Sequence, residues 1–243
     1  MAKNIYLSLR SGLKMPALGY GTWQANDEEL EKGMEAALEA GYRHIDTAHV
    51  YENEGVIGKV IKRWLSSGKL DSMKAMEAQV DAGLAKAIGL SNFNIKQIQR
   101  ILDNARIPPC NLQVELHAFF QQNELYNFCK KNNIVMTAYS PLGSPGIGKF
   151  MSQFGQQVEA PNILGDPVVK RIAKKHNKKE SQVLLRHIIQ KGIAAIPKST
   201  NPERLKQNID IFDFELDNED MKALNALDKG PAARIVDFYA FKG

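Results

Sequence analysis

The chain has 243 residues, of which 44% are hydrophobic and 24% are charged, a composition typical of a globular protein with a large core. Its length fits one domain, and no linker or low-complexity segment divides it, so we expect residues 1–243 to fold as a single unit. No stretch reaches the roughly eighteen apolar residues of a membrane span, and the first residues form no signal-type apolar run. We therefore expect a cytosolic protein that does not enter a membrane.

The basic residues give a formal net charge of +5 and are scattered, apart from one cluster at residues 174–179. We interpret this cluster as a solvated helix end, because no basic stripe with interleaved aromatic residues accompanies it, and we expect no nucleic-acid partner. A mildly positive chain also suits a ligand that carries phosphate. Cys110 and Cys129 are too few for a disulfide framework or a zinc site, and the histidines lack metal-ligand spacing, so we expect no metal.

Strands and helices alternate from the beginning of the chain. In order, we predict a hairpin at 5–9 and 13–15, a strand at 18–22, a helix capped by Asn26 and ended by Gly41, a strand at 42–46 and a helix at 53–64. This order predicts a parallel sheet with right-handed crossovers.

The alternation breaks once, because a second predicted helix at 70–82 follows the helix at 53–64 with no strand between them. After the break, we predict strands at 85–90, 111–116, 134–138 and 193–196, and helices at 94–105, 122–132, 166–176 and 179–191, with further helices starting at Asn201 and Asp217. The prediction gives six parallel strands, whereas a closed (β/α)8 barrel has eight.

Residues 41–54 form the most informative segment of the sequence. They read Gly-Tyr-Arg-His-Ile-Asp-Thr-Ala-His-Val-Tyr-Glu-Asn-Glu and place Asp46 at a strand end and Tyr51 in the next loop, where the catalytic groups of α/β barrels lie. Four further segments follow along the chain, at 87–93, 112–117, 139–144 and 196–208, and each contains polar residues at or after a predicted strand end. Together these segments resemble the aldo-keto reductase family, over residues 13 to 227.

The resemblance implies an α/β fold of the (β/α)8 TIM-barrel type with about six of the eight strands present, and NADPH (or NADP+) as the cofactor. It implies that the nicotinamide carboxamide is held by Ser91, Asn92 and Gln113, its ring by Tyr139, the pyrophosphate by Ser140, Leu142 and Ser144, the 2′-phosphate by Lys198, Ser199, Thr200 and Arg204, and the adenine by Gln207 and Asn208. The chemistry of the phosphate group agrees, since Arg and Lys suit phosphate and Thr200 leads into a helix start that favours anions.

The family reduces small-molecule aldehydes and ketones with four catalytic residues, an Asp, a Tyr, a Lys and a His. Asp46 and Tyr51 match two of them, but the Lys and His belong to the third and fourth barrel strands, which we do not find between Gly68 and Ser72. A strand–helix–strand unit needs about thirty residues. A free tyrosine has a pKa of about 10, so without a nearby Lys to lower it we expect Tyr51 to be a weak acid at neutral pH.

Three further expectations follow from the missing unit and from the resemblance. Asp46 is expected to be a buried carboxylate without its ion-pair partner, which is costly unless it is protonated. Trp23 and Tyr51 are expected to line the substrate pocket. His117 is expected to be structural, although it and His49 are the histidines nearest to the site along the chain.

The sequence leaves three interpretations open. The chain is an active carbonyl reductase in which another residue replaces the missing pair, a non-catalytic NADPH-binding relative, or the product of exon skipping or of an incomplete gene model. Turnover of a test aldehyde distinguishes the first, cofactor titration the second, and transcript sequence across Leu70 and Asp71 the third. The family expectation for the oligomeric state is a monomer.

Overall fold

The computed structural model describes residues 5–10, 12–23, 25–48, 51–66, 87, 89–104, 108–152, 157 and 159–236. The strands in these ranges are β1 (Tyr6–Ser8), β2 (Lys14–Pro16), β3 (Tyr20–Gly21), β4 (Ile45–Asp46), β5 (Gly89–Ser91), β6 (Asn111–Glu115), β7 (Val135–Tyr139) and β8 (Ala194–Ala195). The α-helices are α1 (Asp27–Ala40), α2 (Glu54–Ser66), α3 (Ile95–Asn104), α4 (Asn123–Lys131), α5 (Ile147–Ser152), α6 (Pro167–His176), α7 (Glu180–Gln190), α8 (Pro202–Ile209) and α9 (Asn218–Asn225), followed by a 3-10 helix (Gly230–Ala233). The predicted helix at 70–82 lies outside the described residues.

The parallel strands form one array of six. Strands β5, β6, β7 and β8 pair in that order, and β3 pairs with β4. An isolated parallel bridge between Leu18 and Ala195 joins the two groups, supported by hydrogen bonds from Gly19 N to Ala195 O (2.7 Å) and from Ala195 N to Ala17 O (2.8 Å). The order is therefore β4-β3-β8-β7-β6-β5, which confirms the predicted parallel α/β arrangement; among the described residues no ladder links β4 to β5.

Glycine is required where β3 and the residue before it pack against Ile196, which follows β8, and against His44. A Cβ on Gly21 would lie 2.7 Å from the carbonyl oxygen of Ile196, and one on Gly19 would lie 2.8 Å from the ring of His44. Backbone oxygens and buried rings have little room to move, so larger residues at these two positions would separate the strands.

The predicted N-terminal hairpin is confirmed, with β1 and β2 antiparallel in the register Tyr6 to Pro16.

Local sequence signals set the helix ends. The Asn26 side chain accepts a hydrogen bond from Glu29 N (3.0 Å), and Gly41 ends α1 with φ of 99°, as predicted. The apolar residues Leu30, Met34, Ala37 and Leu38 have the spacing of one helix face in the sequence, and α1 buries all four. The last helix, which the sequence predicts to start at Asp217 and stop at Gly230, ends at Asn225, and a turn separates it from the 3-10 helix that begins at Gly230.

The core has two hydrophobic clusters. The larger one lies between the parallel strands and the inner faces of α1, α2, α3, α4, α7 and α8, and the smaller one joins α6, α7 and α9. Both cysteines are free and buried in the protein. None of the described helices combines the length and apolar character that a bilayer crossing requires.

The basic cluster at residues 174–179 lies at the end of α6, as predicted, and two of its lysines, Lys175 and Lys178, form ion pairs. Lys175 Nζ contacts the carboxylates of Asp217 (2.5 Å) and Asp220 (2.9 Å), and His176 Nε2 lies 2.7 Å from Asp220. Lys178 pairs with Asp210 and Asp213. Much of the local positive charge is therefore balanced inside the molecule.

The buried Asp220 carboxylate should make the larger contribution to stability among these pairs. Burial opposes its ionisation, but hydrogen bonds from His176 and Lys175 outweigh burial and hold its pKa below the ordinary value. Asp220→Asn removes the charge that these donors satisfy and should lower the free energy of unfolding at pH 7 by about 2 kcal/mol, measured by urea denaturation. The control is Asp213→Asn at an exposed pair, with an expected effect below about 1 kcal/mol. Equal effects of the two substitutions would contradict this assignment.

Candidate functional site

The predicted site residues collect at one edge of the parallel strands. Asp46 ends β4, Ser91 ends β5, and Tyr139 ends β7, while Gln113 lies near the end of β6. The carboxyl ends of parallel strands meet at the same edge of a sheet, which is where ligands of such folds bind. All of the predicted catalytic and cofactor residues belong to the described part of the chain.

Asp46 is linked to Gln113 across the strand array. Gln113 Nε2 donates a hydrogen bond of 2.8 Å to Asp46 Oδ1. Within the described ranges, no cationic side chain lies at ion-pair distance from Asp46, and its carboxylate is bonded to the Gln113 amide. Burial raises the pKa of Asp46, and the Gln113 hydrogen bond and His44 only partly offset this shift. Among the described residues, Asp46 thus has a neutral hydrogen-bond donor, which the sequence did not predict, in addition to lacking the expected ion-pair partner.

The loop that carries Tyr51 is held to the strand ends by polar side chains. Thr22 Oγ1 donates to Asp46 O (2.8 Å), Asn53 Nδ2 donates to Thr22 O (3.1 Å), and Thr47 Oγ1 donates to Asn53 Oδ1 (2.9 Å). These bonds fix Tyr51 beside β4. Burial and the Asp46 carboxylate both raise the pKa of Tyr51, which is the direction opposite to that which a proton donor at neutral pH needs.

Two further pairs of predicted residues are hydrogen-bonded near the ends of β5 and β7, on either side of β6. Tyr139 Oη donates to Asn92 Oδ1 over 3.0 Å, and Ser144 Oγ donates to Ser140 Oγ over 2.7 Å. Burial is the main cause that raises the pKa of Tyr139. The site thus contains two amides, Asn92 and Gln113, whose polar ends are turned toward other site residues.

Several residues at this edge have left-handed backbone conformations. The φ angles are 53° at Glu52, 60° at Asn92, 51° at Ser140 and 44° at Ser144. Such a conformation costs a non-glycine residue on the order of 1 kcal/mol and is common where a ligand or reaction fixes the backbone. The loops after β4, β5 and β7 therefore contain residues whose backbone conformation is intrinsically unfavourable for residues other than glycine.

A cationic group lies after β8, at the start of α8. Lys198 and Arg204 interact electrostatically, and among the described residues neither forms an ion pair. Burial lowers the pKa of Lys198, the Glu29 carboxylate opposes this shift, and the Arg204 guanidinium adds to it. Asn201 Oδ1 accepts a hydrogen bond from Arg204 N (3.0 Å), and Ser199 Oγ accepts one from Asn201 N (3.2 Å).

The remaining predicted residues are distributed around these groups. Gln207 and the buried Asn208 lie on α8, and Thr200 directly precedes its cap. Leu142 follows β7 and packs against the core clusters. Trp23 follows β3 and is half-buried. These placements agree with the predicted order of the ligand-binding segments along the edge.

The histidines near the site differ in what the structure shows of them. His117 is completely buried, and its Nε2 lies 3.1 Å from Glu115 Oε1. It is therefore packed in the interior, as the structural interpretation predicts. His49 lies outside the described residues.

One functional feature was not predicted from the sequence. The buried Glu115 carboxylate accepts hydrogen bonds from the backbone N–H groups of Ile235 (2.7 Å) and Val236 (2.8 Å). A glutamate two positions after Gln113 on a strand shares its face, and that spacing is the only signal that the sequence offers. These two backbone donors lie 120 and 121 residues further along the chain, whereas its other partner, His117, is two residues away.

Comparison with known proteins gives a family for the fold and the site. The model of the aldo/keto reductase family matches residues 17–73 and 69–229. These two matches meet where the strand–helix alternation breaks. A solved aldo-keto reductase structure from Bombyx mori, crystallised in complex with NADP, has a TM-score of 0.84 and 29% identity, with 99% of this chain and 97% of that chain covered.

Curated relatives show the same similarity. Aldo-keto reductase family 1 member A1 of Gallus gallus is 34% identical over 296 positions, with 92% of this chain and 89% of the relative covered. An aldo/keto reductase of Synechocystis is 34% identical over 308 positions, with 98% and 93% covered. Both alignments are longer than the 243-residue chain, so each includes positions at which the relative has residues and this chain has none.

Removing the charge of Asp46 should stabilise the protein. Because its pKa is raised, the folded state favours the neutral carboxyl, and the stability that this provides is present at low pH and lost as the pH rises through the raised pKa. Asp46→Asn keeps an acceptor for Gln113 and should raise the free energy of unfolding at pH 7 by about 1 kcal/mol. In urea denaturation, this gain should shrink toward pH 4. A destabilised variant at pH 7 would show that the ionised carboxylate is needed.

Proposed function

Because this chain belongs to the aldo-keto reductase family, we propose that it binds NADP(H) at the carboxyl edge of its parallel strands and is an oxidoreductase of the carbonyl-reducing class. The observation that carries the proposal is the pair of cations, Lys198 and Arg204, close to each other at the start of α8. Two neighbouring cations without a carboxylate within ion-pair distance, among the described residues, favour a bound anion.

The residues after β8 fit the 2′-phosphate of NADP(H). Arg204 presents a planar fork and Lys198 a point charge, and the free N–H groups of the first turn of α8 add a favourable dipole. The buried Ser199 hydroxyl and Thr200 lie beside this turn. Gln207 and Asn208, further along α8, would face the adenine.

The residues after β5, β6 and β7 fit the other end of the cofactor. A nicotinamide carboxamide offers one acceptor and two donors, which match the amides of Asn92 and Gln113 and the hydroxyl of Ser91. Tyr139 would stack on the nicotinamide ring, and Ser140, Leu142 and Ser144 would contact the pyrophosphate. Cofactor binding would then require Gln113 to exchange its bond to Asp46 for one to the carboxamide.

The residues that would donate a proton suit their role less well than the residues that would bind the cofactor. When bound, NADPH supplies a hydride to the carbonyl carbon. Tyr51 is the hydroxyl placed to give a proton to the carbonyl oxygen, but the shift of its pKa is upward, because burial and Asp46 act on it without an opposing cation among the described residues. We propose that this chain binds cofactor and turns over small aldehydes or ketones very slowly.

An internal deletion accounts for this imbalance. We place it at Leu70 and Asp71, where the two family matches meet, and propose that it removes the third and fourth strand units of a single barrel domain, together with the catalytic Lys and His. The buried position of His117 argues against it as a replacement. Loss of coding sequence from an ordinary reductase gene explains why Asp46 and Tyr51 are still present in the chain.

Arg204→Ala should weaken NADPH binding by roughly 10- to 100-fold, the equivalent of one lost charge-assisted contact to phosphate. NADH lacks the 2′-phosphate, so its affinity should change little, and the preference for NADPH should fall. Fluorescence titration with both cofactors measures this. The control is Lys206→Ala, which removes a nearby exposed cation that already pairs with Glu203. Equal losses for NADPH and NADH in Arg204→Ala would place the 2′-phosphate elsewhere.

Turnover should separate the two halves of the site. With saturating NADPH and a test aldehyde, the change in absorbance of the cofactor should give a rate close to that without protein, and Tyr51→Phe should leave this rate unchanged. The physical reason is that a tyrosine with a raised pKa is a poor acid at neutral pH. A substantial rate that Tyr51→Phe abolishes would show that another group completes the proton donor.

A further inference from the structure

Glu115 is a completely buried carboxylate that the proposed cofactor chemistry does not use. Its side chain has 0% exposure, and moving an isolated carboxylate out of water costs several kcal/mol. Such a group is retained in a folded protein when several donors satisfy it. Its partners therefore indicate what the charge holds in place.

The partners of Glu115 come from two different parts of the chain. Oε1 accepts hydrogen bonds from Ile235 N (2.7 Å) and, with Nε2 of the imidazole protonated, from His117 (3.1 Å), while Oε2 accepts one from Val236 N (2.8 Å). Bonds from N–H groups to an ionised carboxylate are about twice as strong as neutral ones. The carboxylate therefore fastens residues 234–236, which we call the C-terminal segment, to the end of β6.

The place of this attachment is the proposed nicotinamide end of the site. Side chains alternate along a strand, so Glu115 and Gln113 share one face of β6. The strand register sets Glu115 directly opposite Tyr139 on β7. The attachment point thus lies next to the ring that would stack on nicotinamide.

Two further contacts guide the chain to this point. Lys229 N donates to Phe119 O (2.8 Å), and the Arg234 guanidinium lies 4.7 Å from the centre of the Phe120 ring. The pKa of Tyr139 reflects the same proximity, because after burial the Glu115 carboxylate raises it and Arg234 lowers it. The C-terminal segment therefore returns across the strand ends to the side of Tyr139.

We infer that Glu115 is a positioning residue for the nicotinamide end of the cofactor site, because it holds the C-terminal segment against Tyr139 as one wall of that site. The inference rests on the proposed NADP(H) function. It assigns no role to Glu115 at the adenine end, which Lys198 and Arg204 would bind on the other side of β8.

Two substitutions break the attachment in different ways. Glu115→Gln keeps the shape but turns an NH2 group toward a backbone donor, so that one N–H loses its acceptor. Ile235→Pro removes one donor without changing the Glu115 side chain. Arg234, with φ of −62° and ψ of 132°, has a conformation compatible with a following proline. Ile235→Ala is the matched control, since it shortens the side chain and keeps the N–H.

The experiment compares two ligands and one structural signal. NADPH spans both ends of the site, whereas 2′,5′-ADP carries only the adenine and phosphate end. Glu115→Gln and Ile235→Pro should weaken NADPH about tenfold, leave 2′,5′-ADP unchanged and increase hydrogen exchange of the Val236 amide, while Ile235→Ala should change none of these by more than about twofold. Because Ile235→Pro leaves the Glu115 side chain in place, it tests the attachment independently if Glu115→Gln fails to fold.

Two other results would contradict the inference. Faster exchange at Val236 with unchanged NADPH affinity would show that the attachment is structural only, and equal weakening of NADPH and 2′,5′-ADP would show a general loss of the fold; either overturns the inference. If the unsubstituted protein binds neither ligand, the proposed NADP(H) function fails first, and hydrogen exchange alone then reports whether Glu115 holds the segment.

Discussion

The contact between β3 and β8 is the constraint on which the rest of the molecule depends. The hydrogen bonds of Gly19 and Ala195 and the close approach of Gly21 to Ile196 join the β3–β4 pair to the four-stranded group. Because the strands are then in one register, their carboxyl ends lie at the same edge, and Asp46 comes within hydrogen-bond distance of Gln113. A bulkier residue at Gly21 would separate the β3–β4 pair from the four-stranded group, and the site residues would no longer lie together.

The site that this contact creates is uneven in its chemistry. Cationic and amide groups suited to a dinucleotide lie on segments that the family match covers from residue 69 onward. The acid–base pair lies on the first segment, where Asp46 is satisfied by a neutral amide instead of a cation. A carboxylate beside a tyrosine, without a positive charge among the described residues, favours the neutral phenol, so the electrostatics support cofactor binding more than proton transfer.

The sequence predicted those features that depend on local chemistry. Helix caps such as Asn26 and Gly41 involve neighbours a few residues away, and the strand ends place Asp46 and Tyr139 at one edge for any parallel sheet. It could not predict the bond between Gln113 and Asp46, 67 residues apart, or the attachment of Ile235 to Glu115, 120 residues apart, because both arise only when distant strands pack. The ion pairs of the basic cluster were missed for the same reason.

Whether the folded chain binds NADP(H) is tested by its thermal unfolding, monitored by circular dichroism. The 243-residue chain is unfolded at increasing concentrations of NADPH and, separately, of NADH. A ligand that binds only the folded state stabilises it by about 2.7 kcal/mol at one hundred times its dissociation constant. We expect a folded protein whose unfolding temperature rises with NADPH and rises less with NADH. A cooperatively folded protein that NADPH does not stabilise at any concentration would contradict it.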